Sequence, residues 1–225
     1  QPLKPSSREA RIGEVLEKYP GLIAVDFTHP TAVNDNAAFY VAHKIPFVMG
    51  TTGGDREALK KLVAEANHPS VIAPNMAKQI VAFQAMIEWL SQTFPTAFSG
   101  YKLSIVESHQ KTKADTSGTA KAVAHSFANM GLNIDESQIE KVRNDKEAME
   151  RMGVPEAYLS GHAFHTYSLD SEDGTVHFEF QHNVCGRKIY AEGSVDAVNF
   201  LAEELKKGSA KPFDMMDVLR SGRMR

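Results

Sequence analysis

The sequence is poor in cysteine, in net charge and in long apolar runs, and each shortage excludes a class of protein. Its single cysteine, Cys185, forms no intrachain disulfide and leaves no thiolate cluster for a metal, so a reducing compartment is expected. The 25 basic and 28 acidic residues give a net charge of -3, which provides no basic field for nucleic acid. No apolar run approaches the roughly 18 residues that cross a bilayer. We therefore expect neither a nucleic-acid partner nor a membrane partner.

The glycine-rich GxGxxG turn that holds dinucleotide phosphates between a strand and a helix is also absent from these residues. The sequence begins at Gln1 with a helical pattern, as the second half of a dinucleotide-binding domain does, and no signal or transit peptide is visible. Two interpretations stay open. Either this α/β unit never bound a dinucleotide, or the first βαβ half lies upstream of Gln1.

Helices and strands alternate over the first 75 residues. Helical spacing covers 8–19, 30–43 and 55–66, and apolar strand segments cover 22–27, 46–50 and 70–74. Asp55 is the predicted N-cap of the third helix. The segment 22–27 is almost entirely apolar, which predicts a strand covered on both faces. Such alternation predicts an α/β class protein with a Rossmann-like parallel sheet, whose ligands bind beyond the carboxyl ends of the strands.

The pattern changes near residue 77 to that of an α+β unit. Helices are predicted at 77–93, 118–130 and 136–151, and strands at 101–107, 160–169 and 174–182. The last two strands form a hairpin around 171–174. Helices at 188–207 and 214–220 complete the pattern.

A candidate anion site lies between the strand at 101–107 and the following helix. The run 117–119 (Ser-Gly-Thr) stands where that helix begins, and a helix start offers unpaired N–H groups and partial positive charge. His109 upstream can exchange a proton near neutral pH, and Lys111 and Lys113 supply positive charge. Each residue also has a structural interpretation: Ser117 as an N-cap, His109 as a packing residue, and the lysines as a solvated loop.

A second candidate is the loop 50–54 (Gly-Thr-Thr-Gly-Gly), which follows a predicted strand. Its glycines let backbone approach a ligand and its hydroxyls can hold a ribose or carboxamide. A tight turn capped by threonine is the equally good alternative. No His-x-x-x-His or Glu-x-x-His pair stands on a predicted helix with metal-binding spacing, so no metal is expected.

The stretch VESHQKTKADTSGTA (106–120) is similar to the signature of dihydrodipicolinate reductases, which reads Glu-x-His-His/Gln-x-x-Lys-x-Asp and then Ser-Gly-Thr. The stretches DFTHP (26–30), PFVMGTTGGDR (46–56), APNM (73–76) and QHNVCGRKIYAEGSVDAV (181–198) also match. The resemblance covers almost all of 20–225. Gln110 in place of a second histidine, and no proline before Ser117, resemble the plant-type branch.

The resemblance implies a role for particular residues. His109 would be the acid near the reaction centre and Lys113 its cationic partner. The residues implied to bind substrate are Gln110, Lys113, Ser117, Gly118 and Thr119. Those implied to line the nicotinamide end of NADPH or NADH are Phe27, Thr28, Gly50, Thr51, Thr52, Pro74 and Asn75. The implied domains are 1–77 with 196–225, a partial dinucleotide-binding domain, and 78–195 for substrate binding and oligomerisation.

The implied activity is hydride transfer from NAD(P)H to a cyclic dicarboxylic acid, 4-hydroxy-tetrahydrodipicolinate, in the diaminopimelate pathway of lysine biosynthesis. The resemblance further implies a homo-oligomer, a tetramer by family habit, in the chloroplast stroma, or in the cytoplasm if the source is bacterial. The alternative is a non-catalytic, reductase-like assembly protein of plastids. Retention of His109, Lys113 and the run 117–119 argues against that alternative.

Overall fold

The computed structural model describes residues 5–222, which fall into two compact units. The first unit combines the residues up to Met76 with those from Glu192 onward, and the second is Ala77–Ala191. No helix among residues 5–222 has the length and apolar character needed to cross a membrane.

The first unit is built on a parallel sheet of four strands in the order β1-β2-β3-β8. Its strands are β1 (Ala24–Asp26), β2 (Phe47–Met49), β3 (Ser70–Ile72) and β8 (Pro212–Phe213). Its helices are α1 (Pro5–Lys18), α2 (Val33–Ala42), α3 (Arg56–Glu65), the larger part of α7 (Lys188–Lys206) and α8 (Met215–Arg220). A 3-10 turn, Pro30–Ala32, precedes α2. The predicted α/β class with a parallel sheet is confirmed.

The core of this sheet follows from the apolar pattern. Every residue of β2 is buried, and α2 and α3 pack Val33 and Leu59 against Phe47 and Met49. Asp55 caps α3 as predicted, because its side chain accepts a hydrogen bond from the N–H of residue 58.

The prediction that segment 22–27 is covered on both faces is wrong for the described residues. Val25 is 52% exposed and Phe27 is 53% exposed. Asp26 is fully buried while its neighbour Val25 points to the opposite face, so among the described residues one face of β1 is covered and the other is open.

The second unit contains a mixed sheet in the order β5-β4-β6-β7. Its strands are β4 (Lys102–His109), β5 (Glu140–Val142), β6 (His162–Asp170) and β7 (His177–Cys185), and its helices are α4 (Lys78–Thr93), α5 (Gly118–Ala128) and α6 (Asp145–Met152). β4 pairs parallel with β5 and antiparallel with β6, and β6 and β7 form the predicted antiparallel hairpin. Ile87 of α4, Phe127 of α5, and Ile105 and Tyr167 of the sheet share one buried core.

The single helix predicted over 136–151 is wrong. The segment instead holds a 3-10 turn (Glu136–Gln138), then β5, and α6 only from Asp145. The Asn144 side chain accepts from the N–H groups of Lys146 and Glu147, so α6 starts at that cap. Upstream, Val142 is buried in the sheet, and the strand pairing overrides the helical propensity of this polar segment.

Candidate active site

The segment between β4 and α5 carries the residues predicted to bind an anion. β4 ends at His109, and Ser117 is the N-cap of α5. The Ser117 hydroxyl makes no capping hydrogen bond, and its backbone N–H donates to Oε2 of Glu107 at 3.0 Å. Ser117 therefore occupies the cap position without using its side chain as the cap.

His109 lies at the end of β4 and is only 9% exposed. Its Nε2 atom is buried and has no hydrogen-bond partner among the described residues. Burial, followed by the positive charges of Arg143 and Lys113, lowers the pKa of His109 to about 3. The imidazole is therefore neutral near pH 7, and nearby negative charge would raise its pKa again.

The two lysines of the segment differ in their surroundings. The Lys113 side chain is 21% exposed, and its ammonium donates to Oδ1 of Asp115 at 2.7 Å. Lys111 is 72% exposed and lies 3.6 Å from a carboxylate oxygen of Asp145. An ammonium has three N–H groups, so Lys113 retains donors for an anion while being held in place. Lys113 is thus partly buried and positioned by Asp115, whereas Lys111 is exposed to solvent.

Arg143 is a residue of this region that the sequence did not reveal. It follows β5 directly and forms a buried ion pair through Nη2 with Oε1 of Glu107, whose side chain is fully buried. Arg143 Nε also donates to the carbonyl of Lys113 at 2.8 Å, and Nη2 donates to the carbonyl of Asp115 at 3.1 Å. The only sequence signal was Glu107 itself, a carboxylate within an otherwise buried strand end.

Histidines from the neighbouring hairpin extend this cluster. The ring of His165 on β6 meets the His109 ring edge to face at 5.0 Å and stacks on His182 of β7 at 4.5 Å. Both ring nitrogens of His165 are buried without a hydrogen-bond partner among the described residues. His182 Nε2 lies 3.1 Å from the Tyr167 hydroxyl. The Nε2 atom of His162, also on β6, lies 2.8 Å from Ser108 Oγ.

Glu107, His109 and His165 place three ligand-type atoms within 4.8 Å of one another. That spacing resembles a metal site, but the chemistry around it is unfavourable for a cation. The Glu107 carboxylate already accepts from Arg143 and from the Ser117 N–H, and the charges of Arg143 and Lys113 repel a cation. The arrangement suits an anion better than a metal.

A small cavity of about 180 Å³ opens beside His109. Its polar lining includes the predicted residues His109, Gln110 and Lys113. Arg187 and Tyr190 also line it, and the sequence did not single them out. The lining residues given by the structure do not include the run 117–119. The cavity thus brings two imidazoles, those of His109 and His162, and two cationic side chains to one space of small-molecule size.

In the first unit, the candidate cofactor loops meet at a buried carboxylate, Asp26. Because β1 and β2 end in register, Gly50 N donates to the Asp26 carbonyl at 3.0 Å. The Asp26 side chain accepts from the backbone and hydroxyl of Thr28, from the Thr51 hydroxyl, and from Asn36. Burial acts to raise the pKa of Asp26, but these hydrogen bonds outweigh it and hold that pKa below its ordinary value. The Asp26 carboxylate therefore binds both the loop that follows β1 and the loop that follows β2.

The remaining candidates lie on the same edge of this sheet. A Cβ added to Gly50 would stand 2.3 Å from the Phe27 ring, so glycine is required for that ring to lie over the loop. Thr52 is exposed, and Pro74 and Asn75 follow β3, whose end is in register with β2. All seven candidate cofactor residues thus belong to the first unit, and those for substrate belong to the second.

Each of the two units contains residues that match a known protein family. Residues 79–219 match the family described as dihydrodipicolinate reductase, C-terminus, and residues 7–76 match dihydrodipicolinate reductase, N-terminus. The chain belongs to the dihydrodipicolinate reductase family. Its family membership therefore rests on both units and agrees with the resemblance of the 106–120 stretch.

Plant members of the dihydrodipicolinate reductase family are similar to nearly the whole chain. The chain is 55% identical to 4-hydroxy-tetrahydrodipicolinate reductase 2, chloroplastic, of Arabidopsis thaliana, over 98% of this chain and 64% of that protein. It is 53% identical to the probable 4-hydroxy-tetrahydrodipicolinate reductase 1, chloroplastic, of Oryza sativa subsp. japonica, over 98% of this chain and 65% of that protein. The chain therefore spans somewhat less than two thirds of the length of these relatives.

The fold also resembles a solved structure, dipicolinate-bound dihydrodipicolinate reductase from Paenisporosarcina sp. TG-14. The TM-score is 0.60 at 19% identity, over 90% of this chain and 75% of that one. At this identity the likeness concerns the fold alone.

Proposed function

We propose that this protein is a 4-hydroxy-tetrahydrodipicolinate reductase that uses NADPH or NADH. The observation that carries the proposal is the small cavity in which His109, Lys113 and Arg187 share one space. A dicarboxylate of one ring fits such a space and such charges, and the plant relatives carry this name over nearly the whole chain. By the same relatives we propose a plastid location, and by family resemblance a homotetramer.

The cofactor candidates are compatible with a nicotinamide ring. The Thr51 hydroxyl donates its proton to Asp26, so its lone pairs are left to accept from a carboxamide. Beside Thr51, the Phe27 ring offers an apolar surface, and Gly50, which has no Cβ, lets a ligand approach the backbone. When bound, the cofactor supplies the hydride.

The chain's own residues handle charge and proton. Reduction adds a hydride to the ring and releases its hydroxyl, which needs one proton to leave as water. We propose His109 as the residue that holds that proton. Its pKa is about 3 without ligand because of burial, Arg143 and Lys113, and the two carboxylates of the substrate would raise it by offsetting those cations. Lys113 would bind one carboxylate through its remaining N–H groups.

The test is an assay of the full-length protein with freshly made 4-hydroxy-tetrahydrodipicolinate, followed at the nicotinamide absorbance band. NADPH and NADH are tried separately. The proposal expects oxidation of one of them that depends on the dicarboxylate. No substrate-dependent oxidation with either cofactor, from folded protein, would leave the alternative of a non-catalytic assembly protein, which the names of the relatives do not support.

A further inference from the structure

Arg143 stands beside the cavity without being part of its lining. It follows β5, which pairs in parallel with the end of β4 so that Val142 lies opposite Ser108. Its side chain is 17% exposed. This position gives the guanidinium access to β4 and to the loop after it, two segments that are distant from Arg143 in sequence.

All five N–H groups of the guanidinium have acceptors. Nε donates to the Lys113 carbonyl at 2.8 Å, and Nη1 donates to the carbonyls of Val142 at 3.0 Å and Glu107 at 3.4 Å. Nη2 donates to the Glu107 carboxylate and to the Asp115 carbonyl at 3.1 Å. Since a guanidinium has five N–H donors, Arg143 has none left to bind an anion directly.

The Glu107 carboxylate completes the connection. One of its oxygens accepts from Arg143 and the other accepts from the Ser117 N–H at 3.0 Å. The pair therefore ties the carbonyls of Lys113 and Asp115 to Ser117, the N-cap of α5. A lysine at position 143 would keep the charge but could not reproduce this fork of donors.

We propose that Arg143 and Glu107 are positioning residues that hold Lys113 and the start of α5 in the geometry that binds a dicarboxylate. The inference rests on the proposed function, because it assigns a device to that same anion site. Neither residue needs to touch substrate. The Arg143 charge also acts on His109, together with Lys113 from the loop and His162 from β6, so Arg143 contributes to the charge around the imidazole as well.

The test is Arg143→Lys in the full-length protein, with Arg151→Lys as the matched control. Arg151 lies on α6 in the same unit, forms ion pairs with Glu140 and Glu147, and is not among the residues that line the cavity. The probe is pyridine-2,6-dicarboxylate, titrated calorimetrically at saturating NADPH. Losing several hydrogen bonds to charged or carbonyl partners should raise the dissociation constant about tenfold or more in Arg143→Lys. Arg151→Lys should stay within twofold of the parent.

Melting temperature separates positioning from a merely structural role. A structural arginine would lower the melting temperature and leave the dissociation constant unchanged at 15 °C, where the variant is still folded. That result, or a dissociation constant within twofold of the parent, overturns the proposal. If Arg143→Lys does not fold, Glu107→Gln decides in the same way, since it keeps an acceptor oxygen but removes the charge.

Failure of the proposed function has a different signature. A parent protein that binds pyridine-2,6-dicarboxylate but oxidises neither NADPH nor NADH would contradict the reductase activity while leaving the Arg143 result intact. A parent that does not bind the probe would overturn the positioning role too, because there would be no dicarboxylate site to hold.

Discussion

The rings of His109 and His165 meet edge to face with their centroids 5.0 Å apart, both buried at the end of the mixed sheet. Burial lowers the pKa of both, that of His109 to about 3. An anion beside such an imidazole raises its pKa. Under the proposed function, the carboxylates of the substrate would therefore favour protonation of His109.

We expect His109→Ala to lower turnover by about 10²–10⁴-fold, the usual range for losing an acid–base group. Cofactor affinity should change little, because the candidate cofactor residues belong to the other unit. The matched control is His177→Ala, an exposed histidine paired with Asp170 at the far end of the hairpin. Steady-state kinetics measure both. Turnover of the His109 variant within threefold of the parent would remove His109 from the mechanism.

Lys113→Met should weaken dicarboxylate binding and turnover, whereas Lys111→Met should do little. Lys113 is partly buried, held by Asp115, and lines the cavity, while Lys111 is 72% exposed. Loss of a charge-assisted hydrogen bond should raise the Michaelis constant by about 10-fold or more, against less than twofold for the exposed lysine. Equal effects from the two substitutions would indicate a diffuse basic loop.

Features that depend on residues close together in the chain could be predicted from the sequence. The alternation of the first 75 residues, the Asp55 cap and the helix start after Ser117 are encoded within a few residues of where they act. Arg143, Arg187 and Tyr190 were not found, because they reach the cavity region through strand pairing and turn geometry far along the chain. The strand β5 was hidden for a related reason, since two of its three residues are exposed and polar.

Asp26→Asn should weaken cofactor binding and lower stability together. The substitution replaces an acceptor with an NH₂ group in a buried position where all the neighbours donate, among them Thr28, Thr51 and Asn36. An unsatisfied buried donor costs about 1–3 kcal/mol of unfolding free energy. Asp35→Asn, an exposed aspartate on α2, is the matched control. Chemical denaturation and the Michaelis constant for NADPH measure both effects. If the free energy of unfolding falls as expected while the Michaelis constant for NADPH stays unchanged, the carboxylate does not organise the cofactor loops.

The buried histidines also make stability depend on pH. Burial lowers the pKa of His182 to about 4 and that of His165 well below its ordinary value. In the unfolded chain both titrate near the ordinary value of about 6.5. Between these values the unfolded state binds more protons, so the stabilisation is complete above about pH 6.5 and is lost as pH falls towards the folded-state pKa. Asp26 also has a lowered pKa, but it titrates near pH 4 when unfolded, so its loss comes at lower pH.

We therefore expect the free energy of unfolding to fall between pH 7 and pH 4.5, and His182→Gln to fall less steeply than the parent. Glutamine does not titrate and keeps an acceptor for the Tyr167 hydroxyl, which lies 3.1 Å from His182 Nε2. One histidine contributes a slope of at most about 1.4 kcal/mol per pH unit, which urea unfolding at four or five pH values resolves. His177→Gln, at an exposed position, should leave the parent slope unchanged. Parallel loss of stability in His182→Gln and the parent would contradict this prediction. It would show that His182 takes up a proton in the folded protein, and that its burial against His165 does not lower its pKa.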